Sequence, residues 1–282
     1  MSNIAIVSDS TASMPDSLVQ QYDIRIAPQV IIWNQETMLD GIDITAAQFY
    51  ERLTKDTSMP TTSQATVASF KKIYEELVPQ GRPIVTIVLN EKLSGTYQSA
   101  MQAKEMFAGA DIEIVSSDSV AMGLGFQVLA AAREAERGGS KEDVVRVARE
   151  AQNQTGLLIV LGTLEFLRRG GRIGGAAHLV GTALNLKPVL EVRDGRIEPI
   201  ERVRTKKKAI ARMLDILEER VDGQRPLRIT VHHTGVPEDA ESVRAMVADR
   251  FAPDELFTTV IGPVVGVHGG PGAVAIAYSV DI

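Results

Sequence analysis

The sequence of 282 residues contains no cysteine and no long uncharged apolar run. Without cysteine the chain cannot form disulfides, thiolate metal sites or a cysteine nucleophile. No apolar stretch reaches the length of a membrane span, and the start, Met-Ser-Asn-Ile-Ala, lacks the basic and apolar regions of a signal peptide. These absences predict a cytoplasmic protein.

The chain also lacks an excess of positive charge. Its formal net charge of −6 argues against general nucleic-acid binding, because that function needs a basic face. The proportions of apolar and charged residues, 44% and 23%, are those of an ordinary globular protein. This length allows one large domain or two medium ones, with enough interior to enclose a sizeable ligand.

In the first half of the chain, short apolar runs alternate with segments of helical periodicity. Residues 84–89 are almost wholly apolar and β-branched, which is typical of a central parallel strand. Further strands are predicted at 4–7, 24–33 (one strand or a pair) and 112–115, and helices at 45–53, 67–77, 94–107 and 124–136. This alternation predicts βαβ units and a parallel sheet flanked by helices.

The pattern changes after a helix predicted at 141–151. An apolar strand at 157–161 is followed by a hairpin of residues 186–192 and 197–203 around Asp194-Gly195. A helix at 206–221, a strand at 227–232, a helix at 238–251 and strands at 255–260 and 273–280 complete the chain. We therefore predict two α/β domains, residues 1–153 with a parallel sheet and residues 154–282 with a mixed sheet.

Neutral hydrogen-bonding groups stand beside apolar runs in three segments, which are Thr62-Ser63-Gln64, Ser94-Gly95-Thr96 and His268 with the glycines around it. The first two segments are predicted to begin helices, with Ser94 as an N-cap at the carboxyl end of a strand, where unpaired amides favour an anion. The glycine-rich residues 266–272 are predicted to form a loop. Hydroxyls and helix ends suit holding a carboxylate or phosphate, although Ser94 could simply cap its helix and a lone histidine is more often structural.

Several motifs resemble those of the DegV family, in family order along essentially the whole chain. They are Val7-Ser-Asp-Ser-Thr11, Leu39-Asp-Gly41, Pro60-Thr-Thr-Ser-Gln64, Leu93-Ser-Gly-Thr-Tyr97, Asp118-Ser119 with Gly123-Leu-Gly125, Gly170-Gly-Arg-Ile-Gly174, Asn185-Leu-Lys-Pro188, Val203-Arg-Thr-Lys206, and Ile261-Gly-Pro263 through Pro271-Gly-Ala273. The chain departs from the family pattern at Gly269, where a threonine commonly follows the histidine, and at Ala65, where a proline often follows the glutamine.

The resemblance implies a two-domain α/β protein that buries one long-chain fatty acid, such as palmitate, between its domains, and that uses no other cofactor. In the best-understood family members, the carrier subunits of bacterial fatty acid kinase, a partner kinase phosphorylates the presented carboxyl group, and the acyl phosphate feeds phospholipid synthesis. By position, Thr62 and Ser94 match the family's carboxylate hydroxyls, and His268 matches its nearby histidine. Ser63, Gly95 and Thr96 stand beside them. The acyl chain of a fatty acid needs an apolar tunnel. Residues 173–186 are predicted to form a helix of small residues, which either sits close to the ligand or packs in the core against a sheet.

Arginines gather at two places, which are residues 168–172 and residues 202–204. They either complement helix ends in solvent, or, as the resemblance suggests for Arg169, Arg172 and Arg204, contact the kinase partner or an anionic membrane surface. No nucleic-acid partner is expected.

An enzymatic alternative is a hydrolase or phosphotransferase with Ser94 as its nucleophile. The sequence has no Gly-x-Ser-x-Gly elbow, P-loop lysine motif or metal-ligand spacing to support it, so a non-catalytic carrier is predicted. His232 and His233 are adjacent in a strand and are expected to point to opposite faces, which would keep them from reaching one site. Asp9, at the end of the first strand, is expected to be a turn or cap residue.

Overall fold

A computed structural model describes residues 3–180 and 186–282. The strands of these residues, in chain order, are β1 (Ala5–Asp9), β2 (Arg25–Ala27), β3 (Val30–Trp33), β4 (Glu36–Leu39), β5 (Thr61–Ser63), β6 (Ile84–Val88), β7 (Ile112–Ser116), β8 (Thr155–Val160), β9 (Val189–Arg193), β10 (Arg196–Glu201), β11 (Leu227–His233), β12 (Glu255–Val260) and β13 (Val274–Val280).

The α-helices of the same residues are α1 (Asp16–Gln21), α2 (Ala46–Lys55), α3 (Val67–Leu77), α4 (Thr96–Glu105), α5 (Met122–Glu136), α6 (Lys141–Gln154), α7 (Glu165–Arg169), α8 (Lys206–Val221), α9 (Pro237–Phe251) and α10 (Pro263–Gly269). Helices α2 and α6 begin with capping boxes at Thr45 and Ser140, in which cap and third residue bond each other's backbone amides. None of the helices in the described ranges combines the length and hydrophobicity needed to cross a bilayer.

Strands β2, β1, β6 and β7 form a parallel sheet in that order, as the sequence predicts. Every residue of β6 is buried because helices cover both faces of the sheet. On one face Phe70 and Tyr74 of α3 pack with Ala100 of α4. On the other face lies α5, which is buried almost all round its circumference.

Strands β10, β9, β8, β13, β11 and β12 form a mixed sheet in that order, in which only the described pair β11–β12 is parallel. Its residues alternate between two buried clusters, as strand geometry requires. In β13, Val274 and Ile276 pack against α8 and α9. Ala275 and Ala277 face the side of α5, in one cluster with Leu124. Helix α5 therefore packs between the two sheets, and the predicted α/β fold class is confirmed.

Strands β4, β3 and β5 form a small antiparallel sheet that the sequence pattern does not predict. The segment read as one strand or a pair at 24–33 is a pair, but β2 belongs to the parallel sheet and β3 to the small one. Trp33 and Ile31 of β3 pack with Phe49 of α2 and with Val264 and Val267 of α10 in one buried cluster. This cluster fixes α10 against the small sheet.

Two helix predictions are wrong. The start of a helix at residues 62–64 is instead strand β5, where Thr62 pairs with Ile31, and the helix begins later at α3 with Thr66 as its N-cap. The long helix predicted at 173–186 is a 3-10 helix at Gly174–Leu179 that ends at the extended Val180. Glycine-rich sequence explains this short element, since glycine is a poor helix former. Residues 181–185 of that prediction lie outside the described residues.

Candidate functional site

A pocket opens where the carboxyl end of the parallel sheet meets the small sheet, α10 and the inner face of the mixed sheet. One part of its wall is polar and comprises Thr11, Gln29, Thr62, Ser63, Gln64, Ser94, Gly95, Arg172, His268 and Gly269. The other part is apolar and comprises Leu89, Leu93, Val120, Ala121, Leu157, Ile159, Leu161, Leu167, Ile197, Ile261, Val264, Val265, Ala273 and Ala275, with His232, His233 and Thr234 at the end of β11. We call these parts the polar end and the apolar end. The position agrees with the general rule that ligands of open α/β sheets bind at the carboxyl ends of strands.

Thr62 and His268 meet across the polar end although they are 206 positions apart in the sequence. The Oγ1 atom of Thr62 lies 2.8 Å from Nε2 of His268. Thr62 is brought there by β5, and His268 by the last turn of α10. The predicted loop at 266–272 is therefore wrong over its first part, because Pro263 starts a short helix that Gly270, with φ of 69°, ends.

His268 is neutral at neutral pH. Burial lowers the pKa of its imidazole to about 4, and the positive charge of Arg172 acts in the same direction. The ring packs so closely on Gly170 that a Cβ atom at that position would overlap Nδ1. Glycine is therefore required at position 170, because any side chain there would collide with the His268 ring.

Ser94 lies at the start of α4 but does not cap it. The N-cap is Gly95, and the Oγ of Ser94 bonds the Oγ1 of Thr96 at 3.0 Å, so the predicted capping role of Ser94 is wrong. A Cβ atom at Gly95 would lie 3.4 Å from Cδ of Gln64, so the two segments are neighbours at the pocket. Thr96 is fully buried and does not line the pocket itself. Gly95 itself lines the polar end, and the first amides of a helix have no partner within the helix.

Behind Ser94 lies a buried polar cluster of Asp9, Thr11 and Gln29. Asp9 caps the 3-10 turn Ser10–Ala12, which confirms its expected role as a turn or cap residue. Its Oδ1 accepts hydrogen bonds from the Thr11 backbone N at 2.9 Å and from Gln29 Nε2 at 3.1 Å, and its Oδ2 accepts from Leu89 N at 2.8 Å. Burial raises the pKa of the Asp9 carboxyl, and these hydrogen bonds oppose that shift.

The arginines of residues 168–172 have different surroundings. Arg168 and Arg169 are exposed and both pair with Glu165 on their own helix. Arg172 instead lines the polar end, where its Nε donates to the Leu93 carbonyl at 3.1 Å and its Nη1 to the Gly170 carbonyl at 2.8 Å. Arg204 is exposed just before α8 and does not line the pocket.

His232 and His233 both border the pocket, and the expectation that their side chains point to opposite faces and so cannot act at one site stays a prediction. The pocket extends around the end of β11, where these residues stand. His232 is fully buried, accepts from Met122 N at 3.2 Å through Nε2, and bonds Thr259 Oγ1 at 2.6 Å through Nδ1. Burial lowers its pKa to about 3, so it stays neutral. In the described part of the chain, no histidine or carboxylate cluster could hold a metal ion.

The structure brings together most of the residues that the sequence singled out. Thr62, Ser63, Ser94, Gly95 and His268 share the polar end, whereas Thr96 lies behind it. Gln64, named in the sequence only as part of segment 62–64, also lines the pocket, and so does Gln29, which the sequence does not single out. Thr11 belongs to the segment that carried the family resemblance, which was the available signal for it. Gln29 stands alone between two short strands and gave no signal.

A family model described as an uncharacterised protein, DegV family, matches residues 3–281. A DegV domain-containing protein of Streptomyces coelicolor is 36% identical over 279 residues, which cover 98% of each chain.

Solved structures agree with this match. A fatty-acid-binding DegV family protein from Thermus thermophilus is 32% identical, with a TM-score of 0.92 over 99% of this chain and 100% of the other. DegV of Bacillus subtilis, a fatty acid binding protein, is 31% identical, with a TM-score of 0.90 over the full length of both chains.

Proposed function

The chain belongs to the DegV family, and on that premise we propose that it binds one long-chain fatty acid. The carboxylate would lie at the polar end of the pocket and the acyl chain at the apolar end. The observation that carries this proposal is that one pocket is lined both by hydrogen-bonding groups that are neutral apart from Arg172 and by a larger set of mostly apolar side chains. The similar proteins from Thermus thermophilus and Bacillus subtilis bind fatty acids.

Neutral groups suit the polar end. A carboxylate beside apolar walls must be hydrogen-bonded, or it will be protonated instead. The hydroxyls of Thr62 and Ser94, the amides at the start of α4 and the neutral His268 could supply those bonds, with Arg172 at the edge of the site. The carboxylate would then have no fixed salt bridge, which leaves it available to a partner's chemistry.

The apolar end would supply most of the affinity. A fatty acid of ordinary length has about 14 methylenes, and burying each contributes roughly 0.8 kcal/mol. The gross stabilisation is therefore on the order of 10 kcal/mol before the cost of ordering the ligand. The inner face of β8 and β13 provides this wall through Leu157, Ile159 and Ala275.

We extend the proposal to a carrier role, in which a fatty acid kinase subunit phosphorylates the presented carboxylate. This step rests on the family resemblance. Arg172 at the pocket edge, and the exposed Arg169 and Arg204, are the proposed contacts for that partner or for a membrane surface. The two-domain division at residue 153, with the ligand between the domains, likewise stays a proposal.

The enzymatic alternative is less well supported. A serine nucleophile needs an adjacent base, yet Ser94 Oγ bonds a threonine hydroxyl, whereas His268 Nε2 pairs with Thr62. We therefore propose that the chain itself is not catalytic.

Native mass spectrometry of freshly purified protein tests the binding proposal. Roughly one fatty acid per chain is expected, and organic extraction should release it and leave a protein that rebinds palmitate. A folded, empty protein that rejects added palmitate contradicts the proposal. Adding a fatty acid kinase subunit and ATP to the loaded protein should then give acyl phosphate, trapped with hydroxylamine. Ser94→Ala should weaken palmitate binding without any covalent adduct in the parent, whereas an acyl-enzyme adduct on Ser94 would favour the enzymatic alternative.

A further inference from the structure

A chain of buried hydrogen bonds runs from Asp9 to the hydroxyl of Ser94. Gln29 Nε2 lies 3.1 Å from Asp9 Oδ1 and 2.8 Å from Thr96 Oγ1. Thr96 Oγ1 in turn lies 3.0 Å from Ser94 Oγ. Asp9, Gln29 and Thr96 are at most 2% exposed. Among these hydrogen-bonded residues, Ser94 is the one whose hydroxyl lines the site of the proposed carboxylate.

The surroundings of Asp9 fix the orientation of the Gln29 amide. Backbone N–H groups can only donate, and one reaches each oxygen of Asp9, from Thr11 to Oδ1 and from Leu89 to Oδ2. The Thr11 hydroxyl adds a third donor, 2.6 Å from Oδ1. The carboxylate therefore acts as an acceptor on both sides, and the Gln29 group facing it is the NH2. An amide NH2 has two protons, one for Asp9 and one for Thr96.

This orientation determines the direction of the remaining bonds. Gln29 donates to Thr96 Oγ1, and among the described residues the only other partner of this buried hydroxyl is Ser94 Oγ, so we infer that the threonine proton goes to Ser94 Oγ. Ser94 then accepts from Thr96, and its own proton has no acceptor in the described part of the chain. That proton can only be directed at the pocket, so the Ser94 hydroxyl is held as a donor.

We propose that Gln29 and Thr96 are positioning residues that hold the Ser94 hydroxyl as a donor toward the pocket, so that the site prefers an ionised carboxylate over an alcohol of equal chain length. This inference rests on the proposed function and deepens it. A carboxylate only accepts hydrogen bonds and gains from a fixed donor, in a bond strengthened by its charge. An alcohol can donate or accept a hydrogen bond, so a fixed donor orientation of the Ser94 hydroxyl adds little to its affinity.

The test compares dodecanoate with 1-dodecanol by isothermal titration calorimetry on delipidated protein. In Thr96→Val, which has nearly the same shape but no hydroxyl, the affinity for dodecanoate should fall about tenfold, as loss of a charge-assisted bond predicts. The affinity for dodecanol should change by less than about twofold. Gln29→Met should have the same effect as Thr96→Val. Thr96→Ser, which keeps the hydroxyl, should retain the acid preference of the parent.

Thr86→Val is the matched control. Thr86 is also a fully buried threonine with one hydroxyl partner, Tyr74 at 2.9 Å, but it lies in β6 away from the pocket. This variant should lose stability without changing the ratio of acid to alcohol affinity. If Gln29→Met does not fold, Thr96→Val and Thr96→Ser still decide the question.

The outcomes separate this inference from the proposed function. If the parent binds both probes and Thr96→Val keeps the parent ratio of affinities, the positioning role is refuted while fatty acid binding stands. An equal loss for both probes also refutes it, because the residue then only supports the shape of the pocket. If the folded parent binds neither probe, the proposed function fails and this inference fails with it.

Discussion

The two ends of the pocket are built in different ways. The polar end is assembled from single side chains on β5, the start of α4, the segment after α7 and the end of α10, each held by one or two hydrogen bonds. The apolar end includes neighbouring strands β8 and β13, whose alternate residues face inward, and is completed by apolar residues of other elements such as Leu89, Leu167 and Val264. Under the proposed function, we expect the apolar end to determine how strongly a ligand is bound, and the polar end to determine which head group is accepted and in which orientation.

The largest expected effect comes from shortening the ligand. Changing palmitate to octanoate removes about eight methylenes. Binding should weaken by roughly 6 kcal/mol, which raises Kd by about four orders of magnitude. Calorimetry on delipidated protein measures the difference, with decanoate and dodecanoate as intermediate points. If octanoate bound as tightly as palmitate, the head group would dominate affinity and the comparison would be reversed.

The next effect comes from the polar end. Thr62→Ala combined with Ser94→Ala removes two hydrogen bonds to a charged group, at about 1.5 kcal/mol each, so palmitate affinity should fall about 100-fold. Each single variant should lose less than the pair. Thr61→Ala, on the exposed neighbour of Thr62 in the same strand, is the control and should bind like the parent. Unchanged binding in the double variant would remove both hydroxyls from the site.

The third prediction tests whether the apolar end is dry at its border with His232. A histidine of ordinary pKa, about 6.5, takes up a proton in the unfolded chain, but in the folded chain it does so only near its pKa of about 3. The folded state therefore binds fewer protons, and stability falls as the pH drops from 6.5 toward 3. Between pH 7 and pH 5 this histidine should cost about 2 kcal/mol.

Urea unfolding of the parent and of His232→Gln at both pH values measures the contribution of His232. The variant should lose less stability than the parent on acidification. An identical decrease in both proteins would mean that His232 is hydrated, and the apolar end with it. His178→Gln, at an exposed histidine, is the control and should follow the parent.

The smallest expected effect distinguishes two arginines of one basic segment. Arg172→Ala removes a positive charge beside the polar end and should weaken palmitate binding by roughly 1 kcal/mol, or about fivefold, with less effect at high salt. Arg169→Ala should leave binding unchanged, because that side chain pairs with Glu165 outside the pocket. Equal effects of both variants would indicate a general surface charge effect.

Much of the fold could be predicted because its signals are local. Helix α3 begins and ends where its apolar periodicity predicts, and β6 follows from an unbroken β-branched run. Strands β4 and β5 were missed because they are short and polar and owe their pairing to β3, a tertiary partner. The Thr-Thr-Ser tract of β5 has the composition of a helix cap, which explains the incorrect helix start.

The candidate site was predictable only in part. Residue type and the family resemblance point to Thr62, Ser94 and His268, and the fold brings all three to one pocket. Their roles toward a ligand stay predictions, as does the domain boundary at residue 153. Gln29 could not have been found from spacing, because its importance depends on a carboxylate 20 positions earlier and a threonine 67 positions later.

The chain has a single tryptophan, Trp33, and it lies in the buried cluster that fixes α10 against the small sheet. Trp33 is 1% exposed, and its indole Nε1 donates to Ser58 Oγ at 2.8 Å while Phe49 packs against its ring. It shares this cluster with Val264 and Val267 of the helix that carries His268. Intrinsic fluorescence at one wavelength therefore reports on this corner of the molecule alone, and a spectral shift on ligand addition would register any movement of α10 without a dye or label.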